Sequence, residues 1–197
     1  MSMTIYALAV TLALVTGAAP PPAQEKPAGQ VLINTGREEF SAILSNISNV
    51  GGAGLTPLTI RIIRWTSDAD DERMLGVLRE KGQSAFLDAL LDGKPVGSIS
   101  TPTSLKYDFF YARQSPAPEG GRRIMLISDR PMTVAERSSA AHSREYPFTV
   151  IELQLDKDGR GEGTLAQRVQ LRLLGNILGI ENLATGPMKL AEVKKIK

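Results

Sequence analysis

Phe148 to Leu174 reads FTVIELQLDKDGRGEGTLAQRVQLRLL, and this stretch decides the fold class. Ile151, Leu153 and Leu155 alternate with polar neighbours, the period of a strand with one buried face. Asp156-Lys157-Asp158-Gly159-Arg160-Gly161 then supplies turn chemistry, and Asp-Gly is a strong hairpin signal. From Thr164 to Leu174 the alternation resumes, with Leu165, Val169, Leu171 and Leu173 expected to face inward against Arg168, Gln170 and Arg172. Gly175-Asn176 reads as a two-residue turn into a strand from Ile177 to Leu183, and Thr185-Gly186-Pro187 breaks the chain before a last strand from Met188 to about Val193. An antiparallel meander is the consequence.

Working outward, Arg122 to Ser128 carries Ile124-Met125-Leu126-Ile127, a continuous apolar run that suits a strand covered on both sides. Ser104 to Arg113 places Leu105, Tyr107, Phe109 and Tyr111 at alternate positions, predicting one aromatic face. Val96 to Ser100 is a further strand, as is Pro57 to Thr66, where Leu58, Ile60 and Ile62 oppose Thr59, Arg61 and Ile63. Gln30 to Asn49 holds one or two more, around Val31-Leu32-Ile33 and Phe40, Ala42 and Leu44.

One segment changes period. Ser67 or Asp68 caps a helix whose first turn carries Asp70, Asp71 and Glu72 at the positive end of the dipole, with Met74, Leu75 and Leu78 on one face. Gly82 ends that helix; Phe86, Leu87, Leu90 and Leu91 repeat the facing before Gly93 and Pro95. A helical hairpin over 67–92 is therefore predicted. Thr133-Val134-Ala135-Glu136 has capping-box spacing and allows one short helix ending near Ala141. The expected architecture is a mainly β (α+β) domain spanning residues 30–197, an antiparallel β-sandwich or curled sheet with the helical hairpin inserted.

The front of the chain has another character. Ile5 to Val15 (IYALAVTLALV) is an uncharged apolar run, shorter than the ~20 residues a spanning helix needs, and Thr16, Gly17 and Ala18 satisfy the small-residue rule for cleavage after Ala18. Residues 1–18 read as a signal peptide, although MSMT lacks the usual Lys or Arg. Residues 19–29, with Pro20, Pro21, Pro22 and Pro27, read as an extended linker. The expectation is a periplasmic or extracellular product with no membrane span after cleavage.

Composition narrows the chemistry. The 197 residues hold 42% hydrophobic and 22% charged side chains, the balance of a globular domain. Twenty-three Lys and Arg against 21 Asp and Glu leave a net charge of +2, no footprint for nucleic acid. With 0 Cys and 1 His, disulfides, thiolate metal sites, a cysteine nucleophile and multi-imidazole centres are excluded. Neither cofactor nor metal ligand set is indicated.

Several constellations bear on the chemistry. Asp156 to Glu162 (DKDGRGE) looks calcium-like, but an EF-hand register would put Arg160 at a ligand position and Gln167 at the bidentate Glu position, so a hairpin turn is the simpler reading. His142 lies in a long polar connection, Asp129 to Pro147, with no G-x-S-x-G elbow to supply a serine; the connection itself reads as a structural cover. Paired carboxylates for glycoside hydrolysis do not stand out, because Asp68 to Glu72 serve the helix start. Arg122 and Arg123, with Lys189, Lys194, Lys195 and Lys197, read as solvated strand ends. Asn46-Ile47-Ser48 matches a glycosylation acceptor, relevant only in a eukaryotic secretory pathway. Trp65, Tyr107, Phe109 and Tyr111 form the candidate binding face, since rigid aromatics offer contact area at low entropic cost, although core packing accounts for the same pattern.

Arg122 to Met132 (RRIMLISDRPM), Tyr146-Pro147-Phe148 and Glu152 to Leu165 (ELQLDKDGRGEGTL) resemble a group of uncharacterised secreted bacterial proteins with no assigned activity, over about Phe40 to the end. The resemblance implies a bacterial exported protein and offers no catalytic or ligand residues to carry over. The leading functional expectation is a non-enzymatic exported envelope domain that binds a small molecule or an envelope protein. The alternatives are an exported hydrolase with its site under the 129–147 loop, and a structural envelope component.

Overall fold

In the computed structural model, residues 36–46, 54–103, 106–130, 145–174, 177–182 and 186–197 are described. The signal-peptide and linker expectations, the short helix after Thr133, His142 and most of the glycosylation triplet fall outside them. The strands are β1 (Glu38–Asn46), β2 (Gly54–Ile62), β3 (Gly97–Ser100), β4 (Tyr107–Phe109), β5 (Tyr111–Pro116), β6 (Arg122–Ser128), β7 (Phe148–Leu155), β8 (Arg160–Leu174), β9 (Ile177–Asn182) and β10 (Met188–Lys195). The expected hairpin of Phe148–Leu155 with the strand after it is present as β7 and β8. Its turn is closed by Asp156, whose Oδ1 accepts from the N–H groups of Asp158 (2.8 Å) and Arg160 (2.9 Å), while Gly159 takes φ 73°.

All ten strands belong to one antiparallel sheet, in the order β4-β3-β2-β1-β10-β8-β7-β6-β5, with β9 pairing β8 off that path. Strands β4 and β5 stand at opposite ends of the order, yet only Phe110 lies between them in the chain. A sheet can meet that condition only by curling round until its ends meet, so the architecture is a nearly closed barrel. This corrects the sandwich alternative and keeps the curled sheet.

Every strand on the closed path sends side chains into one buried cluster. Phe40, Ile60, Ile99, Phe109, Ala112, Leu126, Leu153, Leu165 and Leu190 are among its members, and they fill the barrel interior. Charge also crosses that interior. Glu38 on β1 has a fully buried side chain, and Arg122 reaches it from β6, with Nη2 2.7 Å from Oε2. Lys195 Nζ lies 3.0 Å from Oε1 of the same carboxylate, and the Arg122 guanidinium stands 5.8 Å from the centre of the Phe40 ring. A carboxylate sealed from water is tolerable because two cations and their N–H donors surround it.

A second cluster lies outside the sheet. Tyr111, Ile127, Phe148, Val150, Ala166, Val169 and Leu171 present an apolar surface that is covered by Met74, Leu78, Phe86 and Leu90 of the helical element α1 (Asp68–Leu91). Phe86 meets Phe148 edge to face at 5.7 Å. The apolar run of β6 is thus buried on both sides, Ile124 and Leu126 inside and Ile127 beneath the helix.

The predicted helical hairpin is one element, interrupted only by Gly82 at φ 80°, ψ −178°. A positive φ, which glycine adopts without strain, breaks the helix at that point and turns the second half back against the first, so that Asp70, Arg73 and Met74 line the same cleft as Ala89 and Leu90. Chain length demands this return. A straight helix of 24 residues would be about 36 Å long at ~1.5 Å per residue, whereas the N–H of Ile63 donates to the carbonyl of Val96 at 2.8 Å.

Two bulges decide which residues share a face. Arg168, at φ 51°, is the extra residue where pairing jumps from Phe148↔Val169 to Thr149↔Gln167. The alternation flips there, so Leu165 enters the interior while Val169 and Leu171 lie under the helix, a correction to their expected common face. Glu192, at φ 52°, does the same in β10 and lets Leu190 and Val193 both point inward. The single strand expected over Ser104 to Arg113 breaks at Phe110 into β4 and β5.

Tight coiling leaves its mark at Gly161, which lies opposite Leu155 in the β7–β8 pairing. A Cβ there would stand 1.9 Å from the backbone oxygen of Gln154. Gly161→Ala is therefore expected to destabilise the fold by about 1–3 kcal/mol, read as a lower urea midpoint with an unchanged slope, whereas Gly76→Ala, where no atom lies within 4 Å, is expected not to.

Candidate functional site

The four aromatics expected on one face are divided by the break at Phe110. Tyr107, half-buried, and Phe109, fully buried, belong with the barrel interior, and half-buried Trp65 packs against the same cluster. Tyr111 points to the other side of the sheet, among the residues under α1. The physical reason is the interruption itself: an extra residue between two strands reverses the alternation that would have aligned them. The shared aromatic face is thus corrected, and Phe109 and Tyr111 are core residues.

Tyr111 has a polar task as well. Its hydroxyl donates to Asp71 Oδ1 at 2.6 Å, and Arg113 approaches Asp71 and Asp68 at 3.3 and 2.6 Å. Burial, then the adjacent Asp71 carboxylate, raise the phenol well above its ordinary range. Ala112 and Thr66 exchange hydrogen bonds beside this group, with the N–H of Thr66 donating to the Ala112 carbonyl (2.9 Å) and the Ala112 N–H donating to Thr66 Oγ1 (3.0 Å). Together they clamp the start of α1 onto β5.

Next to that clamp lies a cleft of about 210 Å³, where the chain leaves β2 for the helix and returns from it to β3. Arg64, Trp65 and Thr66 come from the outgoing strand end, Asp70, Arg73 and Met74 from the first half of α1, Ala89 and Leu90 from its second half, Gly93, Lys94 and Val96 from the return, and Phe110 from the β4–β5 junction. Its floor is apolar and its rim is charged. Ser67 caps the helix by accepting from the Asp70 N–H at 3.1 Å, and its hydroxyl donates to Asp70 Oδ2 at 2.9 Å. The Ser67 hydroxyl, and then Arg73, hold the Asp70 carboxyl below its usual value, so it is ionised at neutral pH.

The cations outnumber that carboxylate. Arg73 pairs with Asp70 at 3.4 Å, but Arg64 and Lys94 have no ion-pair partner among the described residues. Arg64 is oriented by an Nη2–H donated to the Lys94 carbonyl. Trp65 is fixed by its indole N–H, which donates to the Gly36 carbonyl at 3.0 Å. The arrangement is suited to receiving negative charge beside an apolar surface.

A second hollow, of about 310 Å³, lies over β7, β8 and β10 between Glu152, Gln154, Glu162, Gly163, Thr164, Pro187 and Lys189. Its carboxylates are matched: Arg123 stands 2.9 Å from Glu152 and Lys189 stands 2.8 Å from Glu162. Lys189 also lowers the Glu162 carboxyl, the opposite of what a general acid requires. Among the described residues no group of three or more His, Asp or Glu is placed to hold a metal ion, and no helix is long and apolar enough to cross a membrane.

Of the expected site residues, only Trp65 lines the charged cleft; Arg64, Arg73, Lys94 and Phe110 were not singled out from the sequence. One signal was present. A helical insertion between paired strands must bring its two flanks together, here Arg64-Trp65 and Gly93-Lys94. No protein-family model, curated protein or solved structure matches the chain.

The clamp beside the cleft is testable. Tyr111→Phe is expected to lose about 1–2 kcal/mol of unfolding free energy at pH 7 through the missing bond to Asp71. Because the folded phenol holds its proton more tightly than the unfolded one, this advantage of the native protein is complete below pH ~10 and shrinks as pH rises above it. Urea titrations of both proteins at pH 7 and about pH 10.5 should show the gap narrowing at the higher pH.

Proposed function

We propose that the chain is a non-enzymatic binding domain that acts outside the cytoplasm of a bacterial cell, and that its ligand enters the cleft between α1 and the β2–β3 flanks. The observation that carries this reading is the pair of cations, Arg64 and Lys94, without ion-pair partners beside the apolar floor formed by Met74, Leu90, Val96 and Phe110. Among the described residues the barrel interior is packed with side chains: Phe40, Ile60, Phe109, Ile124, Leu126, Ile151 and Leu153 are all 0% exposed.

Export rests on the apolar run Ile5–Val15 followed by Thr16-Gly17-Ala18 and the proline-rich stretch. The hydrolase alternative needs His142 or buried carboxylates beneath the 129–147 loop, most of which, His142 included, lies outside the described residues.

Expression of the full chain in a bacterial host, followed by fractionation and intact-mass measurement, should place a product beginning at Ala19 in the periplasm or medium; a cytosolic product retaining residues 1–18 would overturn export. Native mass spectrometry of the purified protein should reveal a bound small molecule that Leu90→Trp, which fills the cleft floor, excludes. A ligand retained equally by that variant would place binding elsewhere.

A further inference from the structure

We infer that the cleft takes a small organic oxyanion, a carboxylate or phosphate attached to a single flat apolar group, with Arg64 and Lys94 holding the charged end and Trp65 and Phe110 flanking the ring. The inference rests on the binding reading above and names its ligand class. Three observations on different aspects of the site converge on it.

The first is charge. Arg64, Arg73 and Lys94 surround one carboxylate, Asp70, and that carboxylate is already engaged by Ser67 and Arg73. The remaining excess is positive, and a cationic or neutral polar ligand would leave it uncompensated. The second is orientation. Arg64 spends one N–H on the Lys94 carbonyl and feels the Asp70 carboxylate only at a distance, with no ion pair of its own within 4.0 Å among the described residues. A guanidinium with spare donors matches two oxygens of a carboxylate or phosphate at once, and the backbone that holds it also carries Lys94.

The third is size and surface. A volume of about 210 Å³ falls below the ~300 Å³ where pockets for drug-sized ligands begin. That is a size suited to one ring and its anionic group. Trp65 and Phe110, both half-buried, give that ring aromatic neighbours, and Met74 adds a polarisable floor. The rim cations are solvent-exposed, so the charge contribution is modest and falls with salt.

The chain contains a single tryptophan, and it lines this cleft, so its emission reports occupancy without a label. Phenyl phosphate, benzoate, inorganic phosphate and benzyl alcohol are titrated into the full-length protein. Benzoate and phenyl phosphate are expected to change Trp65 emission saturably, the stronger of the two identifying the oxyacid, and binding should weaken severalfold between about 20 and about 150 mM salt. Lys94→Ala and Arg64→Ala should each weaken binding about fivefold to tenfold, with Arg64→Lys in between, while far-ultraviolet circular dichroism shows the fold retained.

Benzyl alcohol binding as tightly as benzoate would overturn the anionic class while leaving the cleft as a binding site. Inorganic phosphate binding as tightly as phenyl phosphate would overturn the aromatic requirement. Saturable binding insensitive to both Arg64→Ala and Lys94→Ala, or no response to any of the four probes, would overturn the assignment itself; if native mass spectrometry still finds a ligand that Leu90→Trp excludes, the binding reading survives that failure.

Discussion

A single residue, Phe110, joins the two strands that stand at opposite ends of the sheet order, and that constraint shapes the rest of the molecule. The sheet must curl through a full circle to bring β4 and β5 together. Once it does, each strand on the closed path has one face inside, and the described residues there pack into one buried cluster. The buried Glu38 on β1 meets Lys195 of the neighbouring β10 and Arg122 of β6, which is far from β1 in the order, so closure is reinforced by charge as well as by packing.

The outer surface is not uniform. Where β5 to β8 are apolar on both faces they need a cover, and the two halves of α1 provide it. The helical element is inserted between β2 and β3, two paired strands, so its ends return to neighbouring positions. Gly82 makes that return possible within a short excursion. The cleft is the space left where the outgoing and returning chains meet the barrel rim, and its positive charge arises because Arg64 and Lys94 happen to sit on those two flanks.

Much of this was legible in the residues. The β7–β8 hairpin, the cap at Ser67, the two apolar faces of the helical segment and the doubly buried β6 all follow from local period and turn chemistry. The aromatic face departs from the local pattern for a definite reason: alternate spacing of Tyr107, Phe109 and Tyr111 implies one face only if the strand is continuous, and Phe110 breaks it. The grouping of Leu165 with Val169 and Leu171 failed likewise, because the bulge at Arg168 leaves no mark on the hydrophobic pattern.

What the sequence determined by itself was therefore the class of structure and the kind of element at most positions, since the side-chain periods of 2 and 3.6 and the preferences of Gly, Pro, Ser and Asp are properties of a few consecutive residues. Tertiary structure alone decided the closure of the sheet, the face that each half of β8 presents, and the meeting of Arg64 with Lys94. These depend on pairings between residues far apart in the chain, and a backbone bulge or a returning helix shifts such pairings without altering any local pattern.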